Sequence, residues 1–271
     1  VEVAERLEGF RKAQPGYVSA SFDTICGYGS NGAIVHYKPA RDEGGCARLG
    51  WSRPLLLDSG GHYDVGGTTD VTRTVHFGAP SEHERRCFTR VLKGHMALSS
   101  AVFPKGTDGH QLDLLARLPL WAAGLDYRHG TGHGVGAFLC VHEGPHGISN
   151  IRREPEVALR AGMTSSIEPG YYEEGAFGIR IENVAVVREA ELEHAFEGTR
   201  FLRFEPVTLV PFQAKLIEMG LLTPDEVRWI DEYHDLCWDR VSPRLSGRPL
   251  EWLRANTRPL VHQLYGEDAT D

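Results

Sequence analysis

Apolar residues recur at the helical period of about 3.6 residues in several stretches of the chain. In one of them, Ser81 and Glu84 have the spacing of a capping box, which predicts a helix that begins after this serine. A second helix is predicted over 108–123, ending at Gly124. The tail returns to helix at 223–226, where the sequence TPDE supplies a threonine cap, a proline at the first helical position and a glutamate.

Strand patterns occupy most of the remaining chain. Before them, residues 3–14 are predicted to be the end of a helix. Residues 33–40 (AIVHYKPA) and 54–60 (PLLLDSG) are predicted to be strands that lead into a glycine-rich hairpin. From residue 129 onward, short strand patterns alternate with glycines. This order of elements predicts an α+β fold.

The composition limits the classes of protein to which the chain can belong. Its 271 residues, 41% of them apolar, suffice for one large core, and no apolar run approaches the roughly 20 residues that cross a bilayer. The formal net charge of -8, without a lysine or arginine cluster, argues against nucleic acid or an anionic membrane as the main partner. The scattered cysteines indicate neither a disulfide framework nor a thiolate zinc site, and a reducing cytosol fits them best.

Two aspartates flank the turn of the predicted hairpin LLLDSGGHYDVGGTTDVTRTVHFG, residues 55–78. Asp58 and Asp70 are an even number of residues apart, so a hairpin with an odd loop centred near Asp64 would place them opposite each other, with Cβ atoms about 5 Å apart. Two carboxylates about 4 Å apart repel each other by roughly 4 kcal/mol at an effective dielectric constant near 20. Since this repulsion gives a hairpin no stability, the arrangement points to cations beside the two aspartates.

Two glutamates complete a candidate cluster of acids. Glu168 precedes Pro169, which holds the backbone extended, and Glu182 lies on a strand pattern opposite Ile179 and Ile181. Taken singly, each glutamate is most simply a solvated surface residue. If both converge with the two aspartates, two divalent cations would cancel the four negative charges, and a water shared by the ions would become a nucleophile with a pKa near about 7.

The glycine-rich segment HGTGHGVGAFLCVHEGPH, residues 129–146, holds the candidate imidazoles. His133 lies among glycines at every second position from Gly130 to Gly136, which lets the backbone approach a bulky centre closely. A phosphate-binding loop is the alternative, although the GxGxxG spacing is absent. The string HEGPH at 142–146 matches HExxH, but its glycine and proline would break the helix that such a zinc site requires. Carboxylates with one imidazole suit manganese, cobalt or zinc.

The chain contains, in this order, the segments DSGGHYDVGGTTDVTRT, HGTGHGVG, VHEGP, IEPGYY and GIRIEN. Together they resemble the aminopeptidase P branch of the metallopeptidases with the pita-bread fold, which are related to prolidase and methionine aminopeptidase. The tail RFLRFEPVTLVPFQAKLI is similar to the larger, cytosolic type of Xaa-Pro aminopeptidase. The resemblance covers nearly the whole chain, and it implies a pseudo-symmetric, curved antiparallel sheet covered by helices.

The resemblance also implies a set of site residues. The implied metal ligands are Asp58, Asp70, His133, Glu168 and Glu182. They would hold two divalent metal ions, most simply Mn²⁺, with zinc or cobalt as alternatives. The histidines that the resemblance places at the substrate are His36, His129 and His142, with His142 near the scissile carbonyl. For His36, a core or surface role without function is the alternative.

The implied reaction removes the N-terminal residue from a peptide whose second residue is proline. A metal-bridging hydroxide would attack the carbonyl, Glu168 would transfer the proton, and His142 would donate a hydrogen bond to the developing oxyanion. Prolidase, which cleaves Xaa-Pro dipeptides, is the alternative activity. A non-catalytic binding module on the pita-bread fold and a metal-free hydrolase like creatinase are disfavoured, because all five candidate ligands are present.

The resemblance further implies a longer protein. Residues 1–271 would form a single catalytic metallopeptidase domain, the C-terminal part of a chain whose upstream domains resemble creatinase N-terminal domains. We expect a cytoplasmic homodimer that acts on peptides with proline at the second position and binds neither nucleic acid nor membrane. One departure from the family pattern is that the separation of Asp58 from Asp70 is one residue longer, with the extra residue in YDVGG.

Overall fold

The computed structural model describes residues 1–41, 46–152 and 154–266. Within these ranges the helices are α1 Glu2–Lys12, α2 Glu82–Ser99, α3 Gly109–Trp121, α4 Pro224–Val241, α5 Gly247–Asn256 and α6 Leu260–Tyr265. The strands are β1 Tyr17–Ala20, β2 Ile25–Tyr28, β3 Pro54–Ser59, β4 Gly61–Tyr63, β5 Gly67–Thr68, β6 Val71–His76, β7 Val102–Pro104, β8 Gly132–His133, β9 Gly147–Ile148, β10 Thr164–Ile167, β11 Gly170–Glu173, β12 Phe177–Arg180, β13 Asn183–Ala190 and β14 Phe201–Pro206. This mixture of helices and antiparallel strands confirms the predicted α+β class.

The helices predicted from periodicity and capping are confirmed. At α2 the Ser81 side chain accepts the backbone N–H of Glu84, and the Glu84 carboxylate accepts the backbone N–H of Ser81. The same reciprocal pair forms at α4 between Thr223 and Glu226. The helix predicted over 108–123 is α3, which Asp108 caps. Local sequence therefore determines where these helices begin.

A three-stranded antiparallel sheet, in the order β2-β3-β6, carries the first pair of candidate acids. Asp58 pairs with Thr72 and Ser59 with Val71, so the expectation that Asp58 and Asp70 lie directly opposite each other is wrong by two residues. The reason is that the chain turns one residue later than expected. Strands β4 and β5 pair with each other in the register that continues β3 and β6, with His62 opposite Thr68, so the hairpin is centred on Val65 and not on Asp64, and β4 also pairs with β1.

A four-stranded antiparallel sheet, in the order β10-β13-β14-β7, carries the other candidate acids. The pair β8-β9 precedes β10 in sequence, and the hairpin β11-β12 lies between β10 and β13. A β-bridge between Gly134 and Ser165 joins the end of β8 to β10. A core of Leu98, Ala116, Val187 and other apolar residues packs α2 and α3 against this sheet. A second core buries Phe212 with residues of α2, α4 and β12. These two cores fix the supports from which the site residues project.

The strand predicted over 33–40 is wrong. This segment instead turns, with the Tyr37 backbone N–H donating to the Ile34 carbonyl at 3.0 Å. Its start is packed against β12 so closely that a Cβ added to Gly178 would lie 1.8 Å from the carbonyl oxygen of Gly32. The turn that precedes the segment therefore packs on a neighbouring hairpin, and the segment itself pairs with no strand in the part of the chain that the structure describes.

The helices in residues 1–41, 46–152 and 154–266 are all too short or too polar to cross a bilayer. The five cysteines, all of which the structure describes, are free thiols.

His234 on α4 is a fully buried histidine in the second core. Its Nε2 accepts the backbone N–H of Phe212 at 3.1 Å, which requires the neutral ring. Burial, followed by the nearby Arg73 guanidinium, lowers the pKa of His234 to about 4. The folded protein therefore resists protonation of this ring.

We predict that acid destabilises the protein partly through His234. An unfolded histidine has a pKa of about 6.5, so the unfolded state binds more protons than the folded state between about pH 6.5 and the folded pKa. The free energy of unfolding should fall as the pH falls through this window, by up to about 1.4 kcal/mol per pH unit from this residue. Denaturant unfolding of His234→Gln at several pH values should show a shallower dependence on pH.

The control is His194→Gln, because the His194 side chain is 89% exposed. It should keep the pH dependence of the parent protein. Equal slopes for the parent and His234→Gln would contradict the prediction.

Candidate metal centre

The structure brings together the four carboxylates that the sequence singled out. Asp58 lies near the end of β3 and Asp70 immediately before β6, and they are 7% and 4% exposed. Glu168 follows β10, and Glu182, 1% exposed, connects β12 to β13. The surface alternative for Glu182 is therefore wrong, since its side chain is buried in the protein.

His133, at the end of β8, faces these carboxylates. Its Nδ1 donates to the Gly134 carbonyl at 3.0 Å, so its Nε2 carries the lone pair. This Nε2 lies 3.3 Å from a Glu168 oxygen and 3.5 Å from an Asp70 oxygen. The tautomer is thus the one that presents Nε2 as a ligand atom.

Ligand atoms cluster tightly enough to hold cations. Three overlapping groups have ligand atoms within 4.8 Å of one another: Asp58, Asp70 and Glu182; His133, Glu168 and Glu182; and Asp70, His133 and His142. The first two groups share Glu182 and together contain all five residues that the sequence suggested as metal ligands. The third adds His142, which the sequence analysis assigned to the substrate.

Electrostatic repulsion in this cluster is large. Burial first, and then the neighbouring Asp58 and Glu168, raise the pKa of Asp70 well above its ordinary value. Burial and the Asp70 charge likewise raise the pKa of Glu182 well above its ordinary value, and burial raises that of Glu168. Asp70, Glu168 and Glu182 are therefore in environments that disfavour their negative charges unless a cation is added.

The donor set fits divalent cations. Asp58 Oδ1 is buried and has no hydrogen-bond partner among the described residues, although its Oδ2 accepts from Arg180 at 2.7 Å. A buried carboxylate oxygen without a partner is costly in a folded protein. Carboxylate oxygens with one imidazole nitrogen are ligands that manganese, cobalt or zinc accept. The unpaired oxygen beside the other acids is thus where an ion would be favourable.

A buried chain of hydrogen bonds supports the carboxylate of Asp58. Arg180, 2% exposed, donates to Asp58 and, through Nη1, to the Tyr172 hydroxyl at 2.8 Å. The Tyr172 hydroxyl in turn donates to His129 Nε2 at 2.8 Å, because His129 Nδ1 donates to the Gly130 carbonyl. Burial lowers the pKa of His129 to about 4, so this ring is neutral. This series of hydrogen bonds therefore connects His129 to the acid cluster.

A residue of α3, Arg117, anchors the segment that carries His129. Arg117, fully buried, donates to the backbone carbonyls of Tyr127 at 2.7 Å and His129 at 2.9 Å. Its Nε also donates to Asp113 at 2.6 Å, and Asp113 accepts from the Thr131 hydroxyl at 2.5 Å. This network fixes the backbone on which the two histidines of HGTGH are mounted.

The glycines beside His133 serve close backbone packing. A Cβ added to Gly132 would lie 2.1 Å from the Ser166 carbonyl oxygen, and one added to Gly134 would lie 1.9 Å from that of Glu143. The groups that pack closely against these two glycines are therefore other backbone segments. Residues 142–146 form no helix, which confirms that HEGPH is not a helical zinc motif.

A cavity of about 530 Å³ opens onto the acid cluster. All three histidines assigned to the substrate line it: His36, His129 and His142. The His142 ring packs edge-on against His133, with centroids 4.1 Å apart, and partial burial followed by the His133 charge lowers the pKa of His142. The cavity is thus lined by both carboxylates and imidazoles.

Three supporting residues were missed by the sequence analysis: Thr72, Tyr172 and Arg180. Their functional contacts join residues that are far apart in sequence; Arg180 and Asp58, for example, are separated by 122 positions. The only local signal was that Arg180 and Glu182 share one face of the GIRIEN pattern, and this could have flagged the arginine as a partner of the acids.

Comparison with known proteins places the chain in a family. The profile of metallopeptidase family M24 matches residues 1–189, and that of the C-terminal region of peptidase M24 matches residues 200–260. Aminopeptidase P2 of Arabidopsis thaliana is 55% identical over 262 residues, which is 96% of this chain and 36% of that protein. The chain spans about two fifths of the length of the curated relatives it matches.

Comparison with solved structures leads to the same family. The X-prolyl aminopeptidase of Caenorhabditis elegans, described as a cytosolic enzyme with a di-nuclear active site, matches with a TM-score of 0.89 and 42% identity over 95% of this chain and 42% of its own. A prolidase of Thermococcus sibiricus matches with a TM-score of 0.60 and 33% identity over 68% of this chain and 47% of its own. The fold is the pita-bread fold, and the chain belongs to metallopeptidase family M24.

Proposed function

We propose that this chain is the catalytic domain of an Xaa-Pro aminopeptidase, which removes the N-terminal residue from peptides with proline at the second position. The observation that carries the proposal is the cluster of four buried or partly buried carboxylates and His133 at the wall of a cavity large enough for a short peptide. The similarity to Aminopeptidase P2 of Arabidopsis thaliana over 96% of the chain supports the same substrate class.

Two divalent cations are the cofactors in this proposal, with Mn²⁺ as the metal. The residues that would hold them are Asp58, Asp70, His133, Glu168 and Glu182. When bound, such ions polarise a carbonyl group and make a water molecule nucleophilic at neutral pH. The di-nuclear active site described for the Caenorhabditis elegans protein supports the number of ions.

The remaining chemistry belongs to the side chains of this chain. Glu168 moves the proton, since its carboxylate lies beside His133 and opens onto the cavity. His142 donates a hydrogen bond to the oxygen of the scissile carbonyl as negative charge develops on it. His36 and His129, which also line the cavity, bind and orient the peptide.

An apolar part of the cavity suits the proline ring. Phe22, Ile25 and Val35 are apolar residues that line the cavity. A pyrrolidine ring gains free energy by leaving water for such a surface, and the bond before proline carries no N–H that would need a partner there. The lining therefore favours proline at the second position.

The larger protein is also part of the proposal. We propose a cytoplasmic homodimer in which this chain is the C-terminal catalytic domain after creatinase-like domains. The Caenorhabditis elegans relative, described as cytosolic, supports the compartment. Exposed apolar side chains at Leu114, Leu118 and Trp121, spaced along one side of α3, support a contact with a second copy.

Prolidase activity is the second candidate, because solved prolidases share the fold over about two thirds of the chain. Peptide assays separate the two activities. With Mn²⁺ present, we expect the protein to cleave Xaa-Pro-Yaa tripeptides and to leave Xaa-Pro dipeptides intact, as followed by release of the N-terminal amino acid. Preferential cleavage of dipeptides would favour prolidase, and failure to cleave either with metal bound would favour a binding module.

We predict that metal removal abolishes the activity and that Mn²⁺ restores it. Because Asp58 and Asp70 would each bind metal, Asp70→Asn should lower the metal content of purified protein below two ions per chain, measured by elemental mass spectrometry. The matched control is Glu84→Gln, which neutralises a carboxylate that is 4% exposed but serves the cap of α2. Equal losses of metal in both variants would argue against the assigned ligands.

We predict that His142→Ala lowers kcat by on the order of 100-fold while the metal content stays at the parent level. The reason is that a hydrogen bond to the developing oxyanion stabilises the transition state and not the bound metal. The ligand atoms of His142, Asp70 and His133 also lie within 4.8 Å of one another, so the metal content of His142→Ala decides whether His142 is a metal ligand. If His142→Ala loses metal in proportion to activity, His142 is a ligand. His194→Ala, at an exposed position, is the control for both readouts.

A further inference from the structure

Arg73 on β6 is a buried guanidinium that the proposed chemistry does not use. It is 8% exposed, and among the described residues it forms no ion pair with a carboxylate. Its Nη1 donates instead to two backbone carbonyls, those of Thr72 at 2.9 Å and Glu182 at 2.7 Å. The guanidinium therefore bridges the two backbone segments that hold Asp70 and Glu182.

These two segments are also joined directly. The Thr72 hydroxyl donates to the Glu182 carboxylate at 2.7 Å, and the Glu182 backbone N–H donates to the Thr72 carbonyl at 3.1 Å. Arg73 adds a further hydrogen bond between the same two segments, to the Glu182 carbonyl. The position of the Glu182 carboxylate thus depends on three hydrogen-bonded links to β6, of which the guanidinium supplies one.

The other edge of the guanidinium is held by residues that follow β14. Arg73 Nη2 donates to the Val210 carbonyl at 2.6 Å and to the Tyr233 hydroxyl at 3.0 Å, and Nε also donates to Val210. The Phe212 ring lies 4.7 Å from the Arg73 carbon Cζ and stacks on Tyr233. Phe212, Val210 and Tyr233 all lie in the part of the chain that matches the C-terminal region of peptidase M24.

We infer that Arg73 is a positioning residue through which the C-terminal region, residues 200–260, holds Glu182 in place for metal binding. The inference rests on the proposed function, because it assigns Glu182 to a cation. Arg73 acts by geometry: it fixes the Thr72 and Glu182 carbonyls with one planar fork while Val210 and Tyr233 fix the fork itself. The C-terminal region thereby sets the metal affinity of a site to which it contributes no ligand.

Lysine at this position separates geometry from charge. It keeps one positive charge and three N–H donors, but all three leave one nitrogen and do not reproduce the planar fork, in which Nη1 reaches Thr72 and Glu182 while Nε and Nη2 reach Val210. In Arg73→Lys the dissociation constant for Mn²⁺, measured by titration calorimetry, should rise by about 10- to 100-fold. In the same variant, a peptide that contains the Glu182 amide should exchange hydrogen for deuterium faster, because its bond to Thr72 is less firmly held.

A second variant tests the contribution of the C-terminal region. Tyr233→Phe keeps the aromatic stack and removes one hydrogen bond to Arg73, so the dissociation constant for Mn²⁺ should rise by about threefold to tenfold. Its matched control is Trp229→Phe, which alters the same stack at a ring that lies parallel to Tyr233 with centroids 5.7 Å apart. Trp229→Phe should lower the melting temperature without changing the metal affinity.

The outcomes are distinguishable. Parent affinity for Mn²⁺ in both Arg73→Lys and Tyr233→Phe, even with lowered melting temperatures, would overturn the inference and leave Arg73 a residue of stability alone. If Arg73→Lys does not fold, Tyr233→Phe against Trp229→Phe decides. If the parent protein binds no Mn²⁺, the proposed function fails, and hydrogen exchange at Glu182 decides whether Arg73 positions that residue.

Discussion

Four carboxylates within a few ångströms of one another, largely shielded from water, constrain the rest of the structure. At an effective dielectric constant near 20, a pair of charges about 4 Å apart repels by roughly 4 kcal/mol, and this cluster contains several such pairs. Among the described residues, Arg180 is the one lysine or arginine that forms an ion pair with any of them, through Asp58. Because the acids repel one another, the backbone segments that carry them must be held together by contacts with other residues.

Those contacts cross between the two halves of the chain. Arg180, from β12, donates to Asp58 on β3, while Thr72, from β6, donates to Glu182 at the start of β13. Each half thus supplies the partner for a carboxylate of the other half. The site cannot form within either half alone, and its geometry depends on the packing of α2, α3 and α4 that sets the sheets in place.

The five candidate ligands could be predicted because each lies in a short motif that resembles the family pattern, whereas each glutamate taken singly was most simply a surface residue. The register of the first sheet could not, because it depends on the residue at which the chain between Asp58 and Asp70 turns, and this hairpin also pairs with β1, far away in sequence. Likewise, alternation over 33–40 suits a strand, and only the packing of Gly32 on Gly178 shows that the segment turns. Partners such as Thr72 for Glu182 are 110 positions apart and leave no local signal.

Charge also determines what the assembled site favours. The four carboxylates carry four negative charges and Arg180 one positive charge, so the two divalent cations proposed here would leave one positive charge in excess. His129 adds none, because burial lowers its pKa to about 4, and the pKa of His142 is lowered as well. In the proposed reaction this excess would favour a hydroxide over a neutral water as the nucleophile, because the hydroxide restores neutrality. The hydrogen bond proposed for His142 would then strengthen as that negative charge moves to the oxygen of the carbonyl, and differential binding of this kind is what accelerates a reaction.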